Sequence, residues 1–99
     1  MAKEEKIQLI HPQGKKAPAL SFDKYKPLEK AIISIIKSEK QITHTDLFLA
    51  LNDYFVKKKI QFDGSVNWYG EWVKLHLLAT GKILVQTKKS KKIISLNKS

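Results

Sequence analysis

Apolar residues recur at three- and four-residue steps through the middle of the chain and fall in short runs near its two ends. That pattern predicts helices flanked by strands. The first run, KIQLI at 6–10, is β-prone, and HPQGKK closes it with a proline and a glycine. APALSF at 17–22 returns as a second strand, so an N-terminal hairpin is expected over 6–22.

Asp23 is expected to cap the first helix. Pro27 then falls in its first turn, where the missing N–H is one that a helix leaves free. Leu28, Ala31, Ile32, Ile35 and Ile36 make one buried stripe, with Lys26, Glu29, Lys30 and Lys37 outside it. Thr43 caps the second helix with Asp46 three residues on, a shortened capping box, and Ile42 can staple to Leu47. Leu47, Ala50, Leu51, Tyr54 and Phe55 supply its inner face, and Lys57, Lys58 and Lys59 complement the dipole at its end. Phe62, in the connection IQFDG, is expected to plug the core. Ser65, or Asp63 before it, caps a third helix that runs to Thr80 and stops at Gly81. Beyond it KILVQT and KIISL flank KKSK and read as a hairpin with a lysine tip.

Three helices followed by a hairpin place the chain in the α+β class, as a winged helix-turn-helix. The expected organisation is one domain over 1–99: N-terminal hairpin 6–22, three-helix core 23–80 and wing 82–97. The connection between the second and third helices is longer than the three- or four-residue turn of the simplest examples. On a helical wheel, Val66, Trp68, Tyr69, Trp72, Val73, Leu75, Leu77 and Ala79 share one broad apolar arc of the third helix. Asn67, Gly70, Glu71, Lys74 and Leu78 are left facing out. Trp68 and Trp72, four apart within the arc, read as core rather than as a platform for unpaired bases. An arc that wide needs cover on several sides, and Leu78 with its neighbours could meet a second copy of the chain.

Composition narrows the function classes. The 99 residues are 42% hydrophobic and 28% charged, an ordinary globular balance. Without cysteine there are neither disulfides nor thiolate metal sites. The start MAKEEKIQLIHPQG has no long apolar core of a signal peptide, and AIISII is far too short to span a bilayer, so a cytoplasmic protein without a membrane partner is expected. The histidines His11, His44 and His76 have no metal spacing. His76 falls in the apolar arc and reads as a core histidine, whereas His44 opens the second helix and is expected to be exposed. GSVNWYG fits neither a nucleophile elbow nor a phosphate loop, and the acids are dispersed. No catalytic residue, metal, cofactor or small-molecule substrate is therefore expected, and the chain does not read as an enzyme.

The formal net charge is +10, and all nineteen basic residues are lysine. Lysine is a point charge without the planar fork with which arginine reads guanine. Segments 1–20 and 21–40 each carry +2, 41–63 and 64–80 are neutral, and 81–99 carries +6. A lysine-for-arginine bias of the source genome explains the excess without function; the localisation of the field points to a polyanion.

At NWYGEWVKLHLLATGKI the chain resembles a family of small, uncharacterised bacterial proteins with a winged-helix-like domain of unknown function. The resemblance rests on Trp68, Trp72, Val73, Lys74, Leu75, Leu77, Ala79, Gly81 and Ile83, with His11-Pro12 and Lys24-Tyr25 in support, and spans about residues 5–97. Leu78 stands where related sequences carry an acid. The resemblance implies a fold and supplies no functional residues.

The expected function is binding of double-stranded DNA, in transcriptional regulation. Lys88, Lys89, Lys91 and Lys92 would neutralise phosphates, with Lys74 and Asn67 adding contacts. This requires the hairpin tip and the polar edge of the third helix to face the same way, with no acidic neighbour cancelling the field of the tip. The alternative is a protein-interaction or homodimerisation module on the same scaffold, motivated by the neutral, apolar third helix.

Overall fold

The computed structural model describes residues 5–62 and 64–97. β1 (Lys6–Gln8) pairs antiparallel with β2 (Ala19–Ser21), with Ile7 opposite Leu20. The N-terminal hairpin is thus present, with strands shorter than the apolar runs that announced it. Leu9 is buried just past β1, and its N–H donates to the Pro18 carbonyl at 3.2 Å.

α1 (Phe22–Glu39) starts earlier than expected. Ser21 occupies the N-cap position and Asp23 lies inside the first turn, where its charge still favours the helix N-terminus. Pro27 therefore sits in the second turn and removes one intrahelical hydrogen bond. The stripe Leu28, Ala31, Ile32, Ile35 and Ile36 is buried as its spacing demands. Each leucine or isoleucine of the stripe contributes about 1.5–3 kcal/mol on full burial. Tyr25 joins this face, and its hydroxyl donates to Glu29 Oε2 at 2.7 Å.

Lys40 turns the chain with a φ of 66° into β3 (Gln41–Thr43), a three-residue strand that the sequence pattern did not announce. Thr43 then caps α2 (His44–Lys57), its hydroxyl accepting from the Asp46 N–H at 3.2 Å, and Ile42 and Leu47 are both buried. α3 (Val66–Ala79) begins the same way, with the Ser65 hydroxyl accepting from the Trp68 N–H at 3.1 Å. Asp63, the other candidate cap, lies outside the described residues. Phe62 packs edge-on between Phe55 and Tyr69 and is partly buried.

Both helices end in the same hydrogen-bond motif. Lys59 and Ile60 donate to Val56 and Phe55 at 3.1 and 3.0 Å; Gly81 and Lys82 donate to Leu78 and Leu77 at 3.2 and 2.9 Å. β4 (Ile83–Lys88) and β5 (Lys91–Leu96) form the C-terminal hairpin, and β3 adds to β5, giving a three-stranded antiparallel sheet of order β3-β5-β4. Ile42, Ile94 and Val85 stand opposite one another across it. Ile83 and Ile94 close the core beneath the three helices. The architecture is α+β, with three helices and two small antiparallel sheets. No helix among the described residues is long and apolar enough to cross a membrane.

Candidate functional site

The hairpin tip is tighter than expected. Lys88 pairs with Lys91, so only Lys89 and Ser90 make the turn, at φ of 48° and 67°. A two-residue loop with both residues left-handed matches the right-handed twist of its strands. It also brings four lysines within five residues at the end of the ribbon. The pleat then divides them. Lys92 shares the core-side face with Ile94, while Lys91 and its partner Lys88 point to the other face. None of these four lysines forms an ion pair among the described residues. Lys82, at the base of the hairpin, pairs with Glu29 at 3.4 Å, and Lys98 lies outside the described residues.

Ser90, Lys91 and Lys92 line a cleft of about 650 Å³ together with the start of α2 and with Glu71 and Lys74 of α3. The tip and the polar edge of α3 therefore open on the same side. The charge there is mixed, because Asp46 and Glu71 enter the same cleft.

α3 is rotated relative to the wheel reading. Gly70, Val73, Lys74, His76 and Leu77 are its buried residues. Gly70, expected to face out, lies where an added Cβ would come within 2.9 Å of Leu51 Cδ2 and 3.0 Å of Phe48 Cε1. The missing side chain lets α2 approach closely, and that contact draws the residue one turn on, Lys74, inward. Lys74 is only 8% exposed. Its Nζ donates to Glu71 Oε2 at 3.0 Å and to His44 Nδ1 at 3.1 Å. It is thus an internal ion-pair partner, not an outward contact. Trp68, read as core, is 51% exposed, with its edge contacts to Tyr69 and Trp72 at 4.8 and 6.2 Å. Leu78 is half-buried rather than outward, packed against the core.

Asn67 is exposed as expected, but it has a partner. Asn52 Nδ2 donates to Asn67 Oδ1 at 2.7 Å and to the Phe48 carbonyl at 2.8 Å. Phe48, Leu49, Asn52 and Asn67 border a second cleft, of about 340 Å³, which shares His44, Thr45 and Glu71 with the first.

His44 stands between the two clefts. An ammonium only donates, so Nδ1 accepts from Lys74 and the proton lies on Nε2, 3.6 Å from Glu71 Oε1. Burial foremost, then Lys74 and Lys92, hold this imidazole below its usual range against the opposing pull of Glu71. His44 keeps 40% of its side-chain surface open, while its ring packs edge-on against Phe48 at 4.7 Å. His76 is the core histidine its position predicted: Nδ1 accepts from the Ile10 N–H at 3.0 Å, and burial holds its pKa down. The three-residue spacing of Glu71 and Lys74 is a sequence signal for their ion pair, but the sequence had none for His44, thirty residues before Lys74, joining it. Asn52 carried a weak one, as an amide one turn after an aromatic residue.

Residues 6–93 match the model of DUF6958, a family of unknown function. The chain belongs to that family. Comparisons with curated proteins and with solved structures each return no match. Membership in DUF6958 assigns no chemistry to the cleft.

Proposed function

We propose that this DUF6958 chain is a winged-helix protein that binds double-stranded nucleic acid through the tip of the β4–β5 hairpin. The order α1-β3-α2-α3-β4-β5, with β5 between β3 and β4, is what a three-helix core with a strand-anchored wing requires. One observation carries the functional reading. Lys88, Lys89, Lys91 and Lys92 stand together at the ribbon's end with no acid paired to them among the described residues, whereas Lys74 and Lys82 are each tied to a glutamate. α3 is a weak reading helix, because Lys74 is buried and Glu71 faces the cleft. The contact is therefore to the backbone, and it carries little sequence preference.

Four phosphate contacts give a slope of about −3.6 in log affinity against log salt, or roughly a 150-fold loss between 50 and 200 mM. Titrating the chain into a 20-base-pair duplex at those two concentrations tests this. Replacing the four lysines with glutamine should abolish binding. No binding at low salt, or binding indifferent to the substitution, overturns the reading.

A second reading, a homodimerisation module, is favoured by Leu49 and Val56, which are 66% and 75% exposed on one face of α2. A monomeric mass by light scattering at high concentration removes it.

A further inference from the structure

We infer that the groove between α2 and α3 binds an adenosine 5′-phosphate unit, carried either by a free nucleotide or by an unpaired adenosine in a strand. The two clefts share three residues and so form one continuous groove from the Asn52–Asn67 pair to the hairpin tip. Its chemistry changes along its length in the order base, sugar, phosphate.

At the base end the hydrogen bonds fix both amides. The Phe48 carbonyl can only accept, so Asn52 must turn its amino group toward it, at 2.8 Å. The second proton of that group goes to Asn67 Oδ1, at 2.7 Å. Among the described residues the Asn67 amino group has no acceptor and the Asn52 oxygen no donor, and both residues are exposed. An adenine edge presents the complement, an amino donor beside a ring-nitrogen acceptor. Phe48 and the exposed Leu49 supply the apolar wall against which a base plane can lie. A base there would also cover a leucine that the fold leaves in water.

In the middle, Lys74 holds the Glu71 carboxylate at 3.0 Å with His44 alongside, while the side chain keeps 40% of its surface open. A fixed carboxylate with free lone pairs accepts ribose hydroxyls. At the far end Ser90 and Lys92 offer a hydroxyl and a cation, Lys91 borders the cleft from the other face of the ribbon and Asp46 enters beside them; neither lysine has an ion-pair partner among the described residues. The hydroxyl and the lysines suit a phosphate. The inference shares these lysines with the proposed function but not its duplex geometry. A chain that binds the nucleotide and no duplex upholds the one and rejects the other.

The test is calorimetric titration of the full chain with adenosine 5′-monophosphate, ribose 5-phosphate and a short single-stranded oligoadenylate. The expected result is that the nucleotide binds at least ten-fold more tightly than the sugar phosphate. Asn67→Asp, which replaces the amino donor with an acceptor at an exposed site, should lose at least ten-fold; Lys91→Gln with Lys92→Gln should lose a similar factor. Amide-resolved NMR should show the Asn52 and Asn67 side-chain signals shifting on addition of the nucleotide. Tighter binding of the oligoadenylate assigns the site to a strand, and equal or weaker binding assigns it to a free nucleotide. No nucleotide binding at millimolar concentration, parity with ribose 5-phosphate, or an Asn67→Asp variant that binds as well as the parent overturns the inference.

Discussion

Glu71→Gln should destabilise the fold by about 1–2 kcal/mol, whereas Lys74→Met should leave it unchanged or make it more stable. The pair is asymmetric: Lys74 is buried and Glu71 is 40% exposed, with Nζ and Oε2 3.0 Å apart. At an effective dielectric of 20 the gross attraction at that distance is about 5.5 kcal/mol. Solvent around the carboxylate screens most of it, and the glutamine oxygen can still accept the hydrogen bond, which leaves the smaller figure. What remains is the cost of an ammonium buried without its counter-charge. Lys74→Met removes that ammonium and returns Glu71 to water it already touches, while His44 Nδ1 loses one donor at a site with solvent access. Urea unfolding gives both effects as midpoint shifts at constant slope. In the Lys74→Met background, Glu71→Gln should cost nearly nothing. If it costs the same in both backgrounds, or if Lys74→Met is the more damaging change, Lys74 is not the buried, carboxylate-dependent charge described above.

Ser90→Gly and Lys59→Gly should each stabilise the protein by about 1 kcal/mol, since both positions hold side chains at left-handed φ, 67° and 54°. A rise in Tm of roughly 4–8 °C for each in calorimetry checks this, and no rise refutes it. Stability should fall as pH drops from 7 to 5. His44 and His76 have folded pKa values below the unfolded imidazole, near 6.5, so their contribution is present above that pH and is lost as pH falls through the folded values. His76→Gln, which keeps a side-chain acceptor for the Ile10 N–H but cannot titrate, should flatten the pH dependence of the urea midpoint; an unchanged slope counts against the buried neutral histidine.

Signals that were local in the chain were legible. Thr43 and Ser65 cap helices because a hydroxyl can reach the N–H three residues on, and Gly81 ends α3 because its φ of 81° costs glycine nothing. The α1 stripe followed from spacing alone. What failed depended on contacts between distant segments. β3 is three residues long and owes its existence to β5, about fifty residues away, so periodicity could not show it. Lys59 performs the same left-handed role as Gly81, but nothing in KKK distinguishes the residue that does so. The rotation of α3 was misread because a wheel ranks residues by hydrophobicity, whereas the interface selected the smallest one. Gly70 admits Phe48 and Leu51, and Trp68, in the first turn, is left half in water. The site inherited that error. Asn67 and the tip lysines lie where the sequence put them, whereas Lys74 changed from a contact to a buried support.

The positions of the lysines also bear on what their number means. Four residues other than glycine have positive φ among those described, and three of them are lysines: Lys40, Lys59 and Lys89. Glycine and asparagine are the residues that such backbone favours, and a long β-methylene side chain gains nothing from it. Lysine thus fills positions that local physics would give to other residues, which is what a compositional preference produces. The count of nineteen, and even the total of +10, is then poor evidence for a polyanionic partner. The placement of acids is better evidence, because a lysine-rich background does not dictate it. Glu29 and Glu71 neutralise Lys82 and Lys74 where the chain packs, and Asp53 pairs with Lys57 along α2. The hairpin tip is a place where the same background runs through four lysines in five residues and no acid pairs directly with them among the described residues, although Asp46 and Glu71 border the cleft beside it. A surface with no function to serve there would gain from one glutamate across the ribbon, since like charges directly opposite are destabilising, and Lys88 faces Lys91. The ribbon keeps that repulsion, which is the physical reason to seek its partner outside the chain.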